Sequence, residues 1–249
     1  MVSVSTSRSA TGDKHADSGV STVIIGRSEN VTKIYEVGKV QVHALRGVTL
    51  EIERGEFLSI AGPSGSGKTT MLNLIGCLDR PTSGAVYLED QRVSELSSSQ
   101  AADVRKRGIG FVFQSFNLVP VLTAYENVEF PLVLNSVSPQ ERRTAVEAIL
   151  EEVGLAEMRD RRPNELSGGQ QQRVAIARAL VKQPKLVLAD EPTANLDSKT
   201  GEDILQLMLR ANEEHQATFV FSTHDKMVMD FAKRLVRLHD GLVVSDERK

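Results

Sequence analysis

Nine consecutive residues, Gly62, Pro63, Ser64, Gly65, Ser66, Gly67, Lys68, Thr69 and Thr70, read GPSGSGKTT. The first eight fit the spacing G-x-x-x-x-G-K-[ST]. Glycines let a backbone curl inward until several N–H groups face one chain of phosphates. In that geometry the Lys68 ammonium reaches the β- and γ-phosphates, and the Thr69 hydroxyl ligates Mg²⁺. About one chain in a hundred of this length shows the spacing by chance. An apolar strand pattern before it and a helical pattern after it make chance a poor account here, and the run reads as a nucleotide site.

A site of this kind needs a carboxylate to hold the metal, and LVLADE supplies it. Asp190 ends four apolar residues, which carries its carboxylate to the end of a buried strand and toward Thr69. Glu191 follows at once, where a carboxylate beyond the metal ligand polarises a water for attack on the γ-phosphate. The alternative for an isolated Asp-Glu pair is a solvated surface pair, and the strand before this one argues against it. His224 also ends an apolar run, FVFSTH. Ligands gather at the carboxyl ends of parallel strands, but the pattern alone leaves His224 evenly divided between a structural and a phosphate-facing role. His15, His43, His215 and His239 read as structural.

Roughly a hundred residues after the phosphate run comes LSGGQ, Leu166–Gln170. Ser167, Gly168, Gly169 and Gln170 carry no charge and little bulk. Bare N–H groups at a helix start bind phosphate, so one chain holds two phosphate-facing glycine loops.

The elements that must position these residues follow from periodicity. GEFLSIAG, IGFVFQ, KLVLAD and TFVFST are short apolar runs rich in β-branched and aromatic residues. Runs of this kind are strands of a sheet covered on both faces, and helical stretches between them point to a parallel α/β core. Between Phe116 and Glu165 strand signals give way to helix signals. SPQE at Ser138–Glu141 is a capping box with proline at the first helical position. The reading is a nucleotide-binding core over residues 23–249, with a helical lobe inserted at about 116–165. Residues 1–22 are rich in serine and threonine without a period, and are expected to be a disordered tail.

Composition narrows the function classes. Of 249 residues 40% are hydrophobic and 25% charged, and the net charge of −3 argues against a nucleic-acid partner. The single cysteine, Cys77, excludes an internal disulfide and reads as a buried small apolar residue. No apolar run reaches the ~18 residues of a membrane span, and no secretory signal opens the chain. A cytoplasmic protein is expected.

With GPSGSGKTT, LSGGQ and LVLADEPTANLD in this order, the chain resembles the nucleotide-binding subunit of an ATP-binding-cassette (ABC) transporter, over roughly residues 27 to 249. The resemblance implies a P-loop NTPase core with a mainly parallel sheet, N-terminal antiparallel strands and an inserted helical lobe, working on ATP and Mg²⁺. It implies that Tyr35, in KIYEVG, stacks on adenine; a half-buried strand tyrosine is the alternative. It makes Gln114 a Mg²⁺ contact and the hinge of the lobe, Glu191 the general base and His224 a γ-phosphate switch. Asp197 would lie in a loop that crosses to a partner. Two subunits would pack head to tail, so that Ser167 and Gly169 of one chain face the γ-phosphate on the phosphate loop of the other.

The resemblance also implies integral membrane permease subunits, with room for an extracytoplasmic adaptor, and a peripheral place on the cytoplasmic face of the inner membrane. ALRGVTLEIERGEFLSIAGPSGSGKTTMLNLIGCLDRPTSG and LADEPTANLDS are most similar to the subgroup serving lipoprotein release and macrolide export. Two alternatives stay open: a non-transporting membrane complex such as a cell-division regulator, and a soluble ATPase of DNA repair or translation.

Overall fold

The computed structural model describes residues 23–249; the expected tail lies outside them. Two long strands come first, β1 (Ile24–Val37) and β2 (Val40–Glu53), paired antiparallel. In β2 the stretch VTLEIE buries Val48, Leu50 and Ile52 and exposes the residues between them, the period-two signature of a strand with one wet face. β3 (Phe57–Ala61) is buried at all five positions and leads through the phosphate run into α1 (Lys68–Ile75). β4 (Ser83–Leu88), β5 (Gln91–Arg92), α2 (Ser98–Gly108) and β6 (Ile109–Val112) follow.

The helical stretch comprises α3 (Ala124–Leu134), α4 (Pro139–Glu152) and two 3₁₀ turns, and α5 (Gly168–Leu180) begins at the LSGGQ stretch. The remainder is β7 (Leu186–Asp190), α6 (Ser198–His215), β8 (Thr218–Thr223), α7 (Lys226–Phe231), β9 (Arg234–His239) and β10 (Leu242–Arg248).

The helix starts have a local cause. α2, α3, α4 and α5 open with reciprocal capping boxes, Ser97/Gln100, Thr123/Glu126, Ser138/Glu141 and Ser167/Gln170. Each such cap stabilises its helix by about 1 kcal/mol. The Asp197 carboxylate caps α6 by accepting from Thr200 N at 3.0 Å. Sequence reading recognised the box at Ser138 but not that Ser167, Gln170 and Asp197 are also capping residues.

Two sheets result. A six-stranded sheet runs β10-β9-β3-β8-β7-β6, parallel except for the β9–β10 hairpin, and a four-stranded antiparallel sheet runs β2-β1-β4-β5. This is the expected α/β arrangement. β4, β5 and α2 are additions: β4 is only partly buried and α2 has no buried residue, so neither writes a long apolar pattern.

The six-stranded sheet separates two cores. Leu58, Ile60, Leu186, Leu188 and Val220 face α1 and the antiparallel sheet, whereas Phe57, Val187, Ala189, Phe219 and Phe221 face α5, α6 and the helical stretch. Phe57 lies 5.6 Å and 4.6 Å from the Phe219 and Phe221 ring centroids. Because β3, β7 and β8 are parallel neighbours, their carboxyl ends bring Gly62, Asp190 and His224 to one edge.

Candidate nucleotide site

The phosphate run holds its shape by close approach. Gly67 stands at φ 102°, and a Cβ there would collide with the Ala44 carbonyl oxygen of β2. Gly62 would in the same way strike the Leu238 carbonyl of β9. Ser66 is 2% exposed; its carbonyl accepts from Gly241 N at 3.1 Å and its N–H donates to Pro63 O at 3.2 Å.

Lys68 has a second role that its motif does not announce. It is 7% exposed and packed within its own loop. Its ammonium donates to Gly62 O at 2.8 Å and Pro63 O at 3.0 Å. A cation closed in by its own loop is available to any anion that enters the loop.

Around this loop lies a cavity of about 600 Å³, lined by Tyr35, Val42, Ala44, Pro63, Ser64, Gly65, Gly67, Lys68, Thr69, Thr70, Gln114, Glu191 and His224. Val42 and Ala44 carry no chemical signal in the sequence. Thr69 Oγ1 donates to both Asp190 carboxylate oxygens at 3.1 Å, across 121 residues of chain. One hydroxyl and one carboxylate are both hard oxygen donors, the type that Mg²⁺ takes, and Gln114 lines the same cavity as Thr69.

Glu191 and His224 form a pair. Glu191 stands at φ 46°, a left-handed conformation that costs a non-glycine residue about 1–3 kcal/mol, and its N–H donates to Ser222 O of β8 at 2.9 Å. The carboxylate is thereby turned back toward β8. Oε2 accepts from Thr223 Oγ1 at 3.1 Å, and Oε1 lies 2.7 Å from His224 Nδ1. Glu191 is only 15% exposed at its side chain, whereas the His224 ring is 68% exposed. Nδ1 addresses the carboxylate, and Nε2 has no partner among the described residues.

The Tyr35 hydroxyl donates to Asp79 Oδ2 at 2.8 Å, and burial is the main cause that raises the phenol above its ordinary value. Beyond Gln114, the Gln114 carbonyl accepts from Asn195 Nδ2 at 2.9 Å. Arg178 of α5 donates to the carbonyls of Phe116 and Asn117, two residues at φ 59° and 49°. Burial lowers the Arg178 guanidinium to about 10.

Ser167, Gly168, Gly169, Gln170 and Asp197 are not among the residues lining the cavity. Ser167 Oγ accepts from Gln170 N at 3.3 Å and Gln170 Oε1 accepts from Ser167 N at 2.9 Å. A Cβ on Gly168 would meet Leu196 and Phe116 at 3.5 and 3.9 Å, and one on Gly169 would meet Thr200. The LSGGQ stretch therefore packs against the loop that carries Asp197 and does not line the cavity at its own phosphate loop.

Three comparisons bear on this arrangement. Residues 45–194 match the family model described as ABC transporter. The uncharacterized ABC transporter ATP-binding protein MJ0796 of Methanocaldococcus jannaschii is 52% identical over 227 residues, covering 88% of this chain and 95% of that one. The macrolide export ATP-binding/permease protein MacB of Syntrophobacter fumaroxidans is 49% identical over 217 residues, covering 86% of this chain but 30% of that longer protein. A solved structure, the dimeric post-hydrolysis state of the MJ0796 cassette bound to ADP and Pi, superposes with a TM-score of 0.84 at 50% identity, over 90% of this chain and 98% of that one. The phosphate loop, the Thr69–Asp190 contact and the Glu191–His224 pair thus stand on the fold of a known nucleotide-binding cassette: the chain belongs to the ABC transporter family and is one of its ATP-hydrolysing subunits.

Proposed function

We propose that this ATPase works as a head-to-tail homodimer with two shared ATP sites and drives separate membrane permease subunits of the export or lipoprotein-release type. The observation that carries the reading is the divided site. The phosphate loop with Thr69, and the Glu191–His224 pair, border one cavity, and Asp190 is tied to it through the Thr69 hydroxyl, while the Ser167–Gln170 helix start is not part of it. A second copy supplies the missing wall. The dimeric description of the MJ0796 cassette and the permease that MacB carries in one chain support the two halves of the proposal.

Each residue has a task in hydrolysis. The N–H groups of the phosphate run and the Lys68 ammonium bind the β- and γ-phosphates. Thr69, Asp190 and Gln114 would hold Mg²⁺, which when bound neutralises phosphate charge. Glu191 accepts the proton of the attacking water, and His224, hydrogen-bonded to Glu191, faces the γ-phosphate. Tyr35 is the platform for adenine. Ser167, Gly168, Gly169 and Gln170 cap the γ-phosphate on the partner chain, and Asp197 approaches the same junction. A site closed only across an interface turns loss of the γ-phosphate into subunit separation.

No helix among the described residues is long and apolar enough to cross a membrane; in this proposal the permease subunits supply the pathway, and the ATPase lies peripherally on the cytoplasmic face. An extracytoplasmic adaptor would bind the permease subunits. The docking face is the α3 region beside the Gln114 loop, where Val121, Phe130, Val133 and Leu134 are 74%, 45%, 44% and 52% exposed.

Glu191→Gln tests the scheme. The amide keeps the shape but accepts no proton, so hydrolysis should fall by about 10²–10⁴ while ATP binding persists. Gel filtration should then show an ATP-dependent dimer. Multi-turnover hydrolysis at the native rate would remove Glu191 from this role.

A further inference from the structure

Behind the Tyr35 ring lie two charged side chains with no part in the hydrolytic chemistry. Asp79 comes four residues after α1 ends at Ile75, and its N–H donates back to Asn73 O at 3.2 Å. Its carboxylate has three partners. Oδ1 accepts from Lys33 Nζ and from Arg80 N, both at 2.7 Å, and Oδ2 accepts from the Tyr35 hydroxyl at 2.8 Å. Lys33 Nζ also donates to Arg80 O at 2.8 Å and stands 4.8 Å from the Tyr35 ring centroid, within cation–π range. The Lys33 and Asp79 side chains are 13% and 31% exposed, so the pair is partly shielded from water.

We propose that Asp79 and Lys33 are positioning residues for the nucleotide base: they fix the Tyr35 ring at one edge of the cavity so that it is ordered before the base arrives. The proposal rests on Tyr35 being the base platform. The hydroxyl tether holds one end of the ring and the ammonium lies against its π system. Binding then does not have to freeze a free rotor, and a pre-organised contact contributes more of its energy to affinity.

The anchor also has a definite mechanical origin. α1 starts inside the phosphate run at Lys68, and the chain leaving its other end supplies Asp79. One short helix thus carries both the phosphate-binding backbone and the anchor of the base platform, which sets the span between the two ends of a nucleotide. Stacking is tolerant of base identity, so the device would serve purine nucleotides in general while being blind to phosphate alone.

The test separates base from phosphate. The full chain is titrated with MgADP and, separately, with inorganic tripolyphosphate, which has no base. Asp79→Ala should weaken MgADP by about five- to tenfold, the usual effect of losing one hydrogen bond, and leave tripolyphosphate within twofold. Tyr35→Phe, which removes only the hydroxyl, should give a smaller loss of the same base-selective kind, and it guards against misfolding of the aspartate variant. Adding Asp79→Ala to Tyr35→Phe should cost less than Asp79→Ala costs alone. Equal weakening of both ligands, or full additivity of the two substitutions, overturns the tether. If Tyr35→Ala itself leaves MgADP binding unchanged, the platform reading fails and the proposal falls with it. A base-selective loss in Tyr35→Ala with native binding in Asp79→Ala and Tyr35→Phe sinks the tether alone.

Discussion

Lys68 carries charge to a phosphate and, before that, holds its loop together through Gly62 O and Pro63 O. Lys68→Ala removes both functions. ATP affinity should fall by about 100-fold, since charge-assisted hydrogen bonds to two phosphates are lost. The fold should survive with a loss of about 1–2 kcal/mol from the two carbonyl contacts. Titration calorimetry with ATP and a denaturant melt of the same sample measure the two effects; near-native affinity would overturn the phosphate-loop assignment.

The lysine's ligand chemistry was legible because the spacing Gly62–Thr69 is a local pattern. Its burial was not, since that depends on Ala44 and Leu238 crowding the loop from distant strands. The same holds for Tyr35: its type and place were readable, whereas its tether lies 44 residues away at Asp79. His224 reads evenly from pattern, and only the pairing of β7 with β8 brings it to Glu191.

At the scale of elements, the turn of the β9–β10 hairpin, Asp240–Gly241, is legible in the sequence as a two-residue hairpin connection, and both residues stand at positive φ. Its job is not: Gly241 N donates to Ser66 O and Gly241 O accepts from Arg46 N at 3.1 and 2.9 Å, which seats the hairpin under the phosphate run. The strands are tied at their far end by Arg234, whose guanidinium donates to Asp246 at 2.8 and 2.7 Å and to Glu56 at 3.0 Å.

Hydrogen bonding from Arg234 holds the Asp246 carboxyl below the usual carboxylate range. The unfolded chain therefore takes up this proton first as the pH falls. The contribution is present above the unfolded value of about 4 and is lost as pH drops through the lower folded value. Asp246→Asn should lower the urea midpoint at pH 7 and flatten its decline below about pH 4, so that the two proteins converge in acid. A parallel decline in both would assign the acid sensitivity elsewhere.

The parallel strands themselves were legible because β3, β7 and β8 are nearly continuous apolar runs. β4, β5 and α2 escaped because half-buried or surface elements leave too few apolar positions to set a period.

For the whole molecule, the LSGGQ helix start and the phosphate loop are the two faces of one proposed junction between chains. The Ser167 and Gln170 side chains each accept from the other residue's backbone N–H as a capping box, which leaves the Gly168 and Gly169 N–H groups at the start of α5 for a ligand. That doubling of roles explains why a capping pattern and a phosphate-binding pattern coincide in LSGGQ.

The most direct measurement places one cysteine at Ser64, an exposed position of the phosphate run, on one copy and one at exposed Ser167 on another. Ser66 is unsuitable because it is buried. The native Cys77 is 8% exposed with its thiol pushed up to about 11 by burial, so it contributes little background. The two proteins, in the Glu191→Gln form, are mixed with a short bifunctional thiol reagent. The account predicts a covalent heterodimer that depends on ATP and Mg²⁺, and linkage between chains when one copy carries both cysteines. Efficient linkage within single dilute chains, with no ATP-dependent heterodimer, would contradict it.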